Sequence, residues 1–106
     1  MRIARVIGTL TLGQAHPSYQ GARLRLAIPL SQRELRGQQE PGGECLVVWD
    51  PWGAGEGDLI AISEGPAAAQ PFRPQLKPVE AYNAAILDRV QLHPPDESQL
   101  TSAPDP

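Results

Sequence analysis

The stretch Asp50-Pro-Trp-Gly-Ala-Gly-Glu-Gly-Asp58, running directly into the apolar Leu59-Ile-Ala-Ile-Ser63, narrows the possible folds more than any other segment. Glycines at alternate positions 53, 55 and 57 permit positive φ or close approach of another backbone. A glycine loop that cradles phosphate normally opens a helix, whose first N–H groups meet the anion. Here a strand follows, so the segment reads as a turn between two strands rather than a nucleotide site. It contains no nucleophile beside a base and no set of metal ligands.

Composition sets compatible bounds. A chain of 106 residues is one domain with a small core, leaving apolar surface that a partner chain can cover. Net charge is −3, from nine Lys plus Arg against twelve Asp plus Glu, which argues against a phosphate-backbone binder. The single Cys45 excludes an intrachain disulfide and zinc-type cysteine spacing. Its place in the run Cys45-Leu-Val-Val-Trp49 predicts a reduced, buried thiol. Residues 1–12 alternate too much for the apolar core of a signal peptide, and no apolar run approaches eighteen residues. The expected address is the cytoplasm.

The pattern along the chain is β almost throughout. Arg2–Leu12 is rich in Ile, Val, Thr and Leu, and its even positions from Val6 to Leu12 can face inward. The clearest alternation is Ala22–Leu30, with Ala22, Leu24, Leu26, Ile28 and Leu30 on one face and Arg23 and Arg25 on the other. Pro29 caps that ladder or sits at an edge. Ser31–Glu44 is polar and reads as a mobile surface excursion, before short strands at Cys45–Trp49 and Leu59–Ser63. Gly65–Gln75, with three prolines, reads as an irregular loop. Pro78 and Glu80 suit the first turn of a short helix over Val79–Asn83, and Ala84–Leu92 returns to strand character. From His93 to Pro106 the chain holds four prolines and nothing to pack, the composition of an unstructured tail. The expected fold is mainly β: a small five-stranded antiparallel barrel over residues 1–92, with one short helix and a Pro-rich tail over 93–106.

Four blocks in order resemble one family. Met1-Arg-Ile-Ala-Arg-Val-Ile-Gly-Thr9 resembles its opening strand with the Ile-Gly-Thr ending. His16-Pro-Ser-Tyr-Gln-Gly-Ala-Arg-Leu-Arg-Leu26 resembles its loop and Gly-x-Lys-Leu-Leu strand. Asp50–Ser63 is similar to Asp-x-Val-Gly-Ala-Gly-x-Gly-Glu followed by an apolar strand, and Lys77–Val90 to the Pro-Val-Asp-Ala…Ile-x-Asp ending. The family is that of the pentameric shell-vertex proteins of bacterial microcompartments, the EutN/CcmL type. The resemblance implies an OB-like barrel, a homopentamer (with a hexamer also possible) and hexameric shell proteins as partners. No cofactor, metal, nucleic acid or membrane is expected. Two departures stand out. Pro51-Trp52 replaces an apolar residue before Gly-Ala-Gly, and Ala69 stands where the family's Gly-Ser-Ser-Ala-Arg segment has its arginine.

The residues themselves give little to an enzyme. His16 precedes a proline in a turn and His93 opens the tail, neither in the setting of a catalytic base. Asp50, Glu56, Asp58 and Glu64 cluster along one hairpin, where carboxylates can hold an ion. The plainer reading has Asp50 and Asp58 bonding their own backbone at the turn, with Glu56 solvated. Nucleic-acid binding needs a basic groove and stacking aromatics, and only Arg23 and Arg25 form a basic pair. Assembly remains. The candidate subunit-interface or pore-loop residues are Trp52, Gly53, Ala54, Gly55, Glu56, Gly57, Gly65 and Ala69, since Trp is a common interface anchor and glycine permits close chain contact. The rival reading is a small homo-oligomeric barrel that binds a small ligand or ion.

Overall fold

Strands form where β-branched and long apolar residues run between glycine and proline clusters. The computed structural model describes residues 1–75 and 77–93. Its strands are β1 (Arg2–Leu10), β2 (Leu24–Pro29), β3 (Leu46–Trp49), β4 (Leu59–Glu64) and β5 (Ala81–Ile86). They close into a barrel in the order β1-β2-β3-β5-β4. The expectation of a wholly antiparallel barrel is corrected at one seam. β3 and β5 run parallel and share a single pair, Trp49 with Tyr82. Parity demands it: around a closed ring of five strands, directions cannot alternate at every seam.

The second half of the chain departs from the sequence reading in a consistent way. Val79–Asn83 is not a helix; Ala81–Ile86 is strand, aligned with β4 through Ile62–Asn83, Ser63–Tyr82 and Glu64–Ala81. Pairing with β4 satisfies backbone groups that a one-turn helix would leave open, and one isolated turn is a costly nucleus. The strand accordingly ends at Ile86, short of the expected Leu92. Gly65–Phe72 is a 3₁₀ helix rather than an irregular loop. The expected tail lies outside the described residues from Pro94 onward.

The short helix sits instead in the segment read as a mobile excursion. This is α1 (Gln32–Leu35), begun by a reciprocal cap. Glu34 N–H donates to Ser31 Oγ at 3.2 Å, and Ser31 N–H donates to Glu34 Oε1 at 2.9 Å. Glu34 Oε2 also accepts from Gly42 N–H at 2.8 Å, tying the far end of the segment back to the helix. Cys45 is exposed, contrary to expectation. It precedes β3, in which burial begins only at Val48.

Two apolar clusters hold the fold. The first fills the barrel: Ala4, Val6, Ala27, Val48, Ala54, Ile60, Ile62 and Ala81. Ile60 and Ile62 are fully buried, worth about 1.5–3 kcal/mol each in apolar transfer. The second, around Leu24, Trp49, Ala68 and Val79, lies outside the barrel wall. Strand alternation requires this, since Leu24 and Trp49 face opposite to Ala27 and Val48. The leucine face of β2 is therefore the outer face, and the arginine face is the inner one. Leu24 is sealed by the second cluster, while Leu26 and Ile28 stay half-buried. A bulge at Ile7 serves the same arrangement. Val6 pairs with Ala27 but Gly8 pairs with Leu26, so β1 turns from the interior to the outside partway along. Leu10 then meets Leu24 in the second cluster, and Leu12 is exposed rather than inward. Phe72 packs edge-on against Trp49, with ring centroids 4.8 Å apart, and against Tyr82 at 5.6 Å.

Candidate functional site: the glycine turn and the barrel seam

Asp50 follows β3 in the same alternation as Val48, and its side chain is fully buried. A buried carboxylate is tolerable only when its oxygens are occupied. Oδ1 accepts from Trp52 N–H (3.1 Å), Gly53 N–H (3.2 Å) and Asn83 Nδ2 (3.0 Å). Oδ2 accepts from Ala54 N–H at 2.7 Å and forms an ion pair with Arg25 Nε at 3.3 Å. Arg25 Nε also donates to the Ala54 carbonyl at 2.8 Å, so one guanidinium holds both sides of the turn. Asn83 itself is fully buried, and its Oδ1 accepts from Ala85 N–H.

This network spans the seam where β3 and β5 share one pair. Trp52 Nε1 donates to the Asn83 carbonyl at 2.9 Å, supplying from a side chain a bond that the ladder lacks there. Arg23, exposed at the mouth just before β2, donates from Nη2 to the Pro51 carbonyl at 3.0 Å. The far end of the turn is anchored to β1: Gly57 N–H donates to Val6 O, and Val6 N–H to Asp58 O. Asp58 Oδ2 accepts from Gly55 N–H at 2.8 Å, and Glu56 is solvent-exposed. Asp50 and Asp58 thus bracket the turn as the sequence suggests. Arg23 and Arg25, read as a basic face, are instead clamps on that turn.

The structure gathers six of the expected residues and separates two. Trp52 has 58% of its surface exposed although its indole N–H is bonded within the chain. Gly53 and Gly57 have φ of +79° and +90°, and with Gly55 and Glu56 they lie on the surface. Ala54 is buried inside its own barrel, so it supports the turn from beneath rather than facing a neighbour. Gly65 and Ala69 belong to the 3₁₀ helix after β4, where Gly65 N–H donates to Glu80 O rather than joining the turn network. Sequence reasoning missed the partnership of Arg25, Asp50 and Asn83. The available signal was parity: Asp50 shares a face with Val48, and Asn83 with Ala81.

At the barrel's rim, Arg2 grips Glu64 with two parallel bonds of 2.6 and 2.7 Å, joining β1 to β4. The arginine holds the Glu64 carboxyl below the usual carboxylate range and is itself raised. The backbone N–H groups of Ser31 and Gly42 do the same to Glu34. His16 Nδ1 accepts from Ser18 N–H at 3.1 Å and caps the 3₁₀ turn Pro17–Tyr19. Among the described residues, no three His, Cys, Asp or Glu side chains are placed to share a metal ion. Nor is any helix there long and apolar enough to cross a membrane.

Among the described residues the buried polar side chains, Asp50 and Asn83, both serve the turn, in a small closed five-stranded barrel that presents an aromatic ring there. The family model described as ethanolamine utilisation protein EutN/carboxysome matches residues 1–88. The chain belongs to this EutN/CcmL family. It is 35% identical over 92 residues to the carboxysome shell vertex protein CcmL of Gloeobacter violaceus, covering 87% of each chain. It is 30% identical over 90 residues to the microcompartment shell vertex protein EutN of Salmonella typhimurium, covering 85% of this chain and 86% of that one. The solved structure of Gloeobacter violaceus CcmL superposes with a TM-score of 0.75 at 33% identity, over 87% of this chain and 90% of that one. The pentameric microcompartment shell protein GrpN of Rhodospirillum rubrum superposes with a TM-score of 0.72 at 28% identity, over 88% of this chain and all of GrpN.

Proposed function

We propose that the protein forms homopentamers that cap the vertices of a bacterial microcompartment shell in the cytoplasm, seated among hexameric shell proteins. The observation that carries this reading is the near full-length likeness to a carboxysome vertex protein and to a pentameric shell protein. The geometry is consistent with it. Heterologous contact between two different faces of one subunit closes into a ring when the rotation fits. A flat sheet of hexagonal tiles cannot close on itself, and five-membered units at the corners supply the curvature. The role is geometric, and we read the protein as a scaffold rather than an enzyme because its relatives are named as shell proteins. Residues 1–92 form the assembling unit.

The contact assigned to a neighbouring subunit is the exposed rim of the turn: Trp52, Gly53, Gly55, Glu56 and Gly57, with Gly65 and Ala69 as further candidates for the interface or the axial opening. The Asn83 bond satisfies the indole N–H within the chain, which leaves the ring as apolar surface for a partner. Native mass spectrometry of the purified protein is the test, followed by Trp52→Asp. The expected result is a dominant pentamer, which Trp52→Asp dissociates about tenfold or more readily, the effect of losing an interface anchor worth roughly 2 kcal/mol. Unfolding of the dissociated chain should fall by only about 1 kcal/mol, one part-buried hydrogen bond. A monomer at every concentration, or equal losses of folding and assembly, refutes the interface role.

A further inference from the structure

The two positive side chains near the 3₁₀ elements, away from the seam network, have no part in the fold described so far. A groove of about 710 Å³ opens between the turn Pro17–Tyr19, the helix Gly65–Phe72 and the residues Arg73, Gln75, Lys77 and Pro78 beyond it. That is the volume of an ordinary small-molecule site. Arg73 and Lys77 line it together with His16, Ser18, Gln70 and Gln75, and among the described residues no Asp or Glu lines it. In a chain with twelve acids against nine Lys plus Arg, this is a locally inverted charge balance.

Three features prepare the site. Lys77 is half-buried and its ammonium donates to the Ser18 carbonyl at 3.0 Å, which fixes its position and leaves two N–H donors unspent. Arg73 is exposed, and among the described residues its guanidinium has no carboxylate partner. His16 Nδ1 accepts the Ser18 N–H, so in the neutral ring the proton lies on Nε2, which is a donor. Ammonium, guanidinium and imidazole N–H are all donors, and the two glutamines add amide N–H. These donors, in a groove whose surface is otherwise mostly apolar and with no carboxylate among the described residues that line it, complement a compact oxyanion.

We infer that this groove binds a small oxyanion, a phosphate or carboxylate group, with Arg73 and Lys77 as its principal contacts. The inference uses neither Trp52 nor the glycine turn, although Ala69, a candidate for the interface or the axial opening, also lines the groove.

The test is a titration of the intact protein with sodium phosphate and, separately, with sodium citrate, at constant ionic strength set with chloride, followed by backbone amide NMR. Saturable shifts at Gln70, Arg73, Gln75 and Lys77 are expected for at least one anion, with dissociation constants on the order of 1 mM. Which anion binds more tightly distinguishes the phosphate from the carboxylate source. Arg73→Gln, a surface change that spares the fold, should weaken binding about fivefold to tenfold. Arg89→Gln, an exposed arginine outside the groove, should leave it unchanged. No saturable shift with either anion up to about 20 mM, a range well above that dissociation constant, overturns the inference. Equal weakening by Arg73→Gln and Arg89→Gln overturns it too, because that is general charge attraction. Oligomeric state is read on the same samples, so a failed site and a failed pentamer are told apart.

Discussion

Replacing Asp50 with alanine removes the acceptor on which the seam converges, and the structure says how much that costs. Five donors lose their partner, but they are not equivalent. Trp52 N–H and Gly53 N–H are part-buried and can regain water. Ala54 N–H and Asn83 Nδ2 are buried, and each orphaned buried donor costs about 1–3 kcal/mol. Arg25 loses its counter-charge, yet its side chain is 16% exposed and keeps its bond to the Ala54 carbonyl. Its share therefore falls below the ~3–5 kcal/mol of a fully buried broken pair. The sum is about 4 kcal/mol, against a total of roughly 5–15 kcal/mol for a domain of this kind. At about 4–8 °C per kcal/mol, the thermal midpoint drops by ~20 °C. Urea and thermal unfolding at one fixed protein concentration measure it, because assembly shifts apparent stability. Asn83→Ala combined with Asp50→Ala should be non-additive by ~1–2 kcal/mol, since the two share one hydrogen bond. A loss below ~1 kcal/mol for Asp50→Ala would refute the reasoning.

Two other outcomes are expected. Gly53→Ala should cost about 1–2 kcal/mol from positive φ alone, because φ is +79°. The new Cβ also meets Arg23 Nη1 at 3.3 Å, but that flexible tip can move, so an Arg23→Ala background should restore little. Recovery of most of the loss in that background would assign the cost to the clash instead. The acid limb follows from Glu34 and Glu64, both held below the usual range, the first chiefly by Ser31 N–H and the second chiefly by Arg2. Unfolded glutamates titrate near ~4.3, so below that value the unfolded chain binds more protons than the folded one. Their stabilisation is complete above pH ~4.3 and is lost as pH falls through the lower folded values. Urea midpoints between neutral pH and pH ~3 should fall less steeply in the Glu34→Gln, Glu64→Gln double variant. The difference should be small, because both groups are largely solvated. An unchanged slope would rule these two carboxyls out.

Elements bounded by strong local signals were legible in the sequence. The glycine turn, the strands on either side of it and the family resemblance all rest on short, ordered patterns. Sidedness was not legible. Ala22–Leu30 announces two faces, but alternation alone does not say which one enters a barrel. The interior took Arg25 and Ala27, Arg25 pairing with the buried Asp50 carboxylate and Ala27 joining the core around Ile60 and Ile62. A second apolar cluster outside the wall then claimed Leu24. Pro78 and Glu80 carried a genuine helix-start signal, overridden by pairing of the next residues with β4. Buried Val79, Ala81 and Asn83 show the period of two that was present in the sequence. Ser31 and Glu34 spelled a capping box inside a segment read only as polar. The parallel seam needed no structure at all, only the observation that five is odd.

That seam also orders events in time. β1 with β2, and β4 with β5, are neighbours in sequence and pair over several residues, so they can form early. β3 reaches β5 through one residue pair and the Asp50–Asn83–Trp52 bonds, which exist only once the turn has docked. Closure is then expected to be a late step, with the contacts that make it absent from the folding transition state. Weakening them hastens unfolding while leaving the refolding rate nearly untouched. In a stopped-flow chevron, Asp50→Ala should move the unfolding arm alone; a matching fall in the refolding arm would place closure before the barrier. If only the unfolding arm moves, the barrel keeps its finished shape by the slowness of its opening, lodged in a few polar side chains beneath one exposed tryptophan.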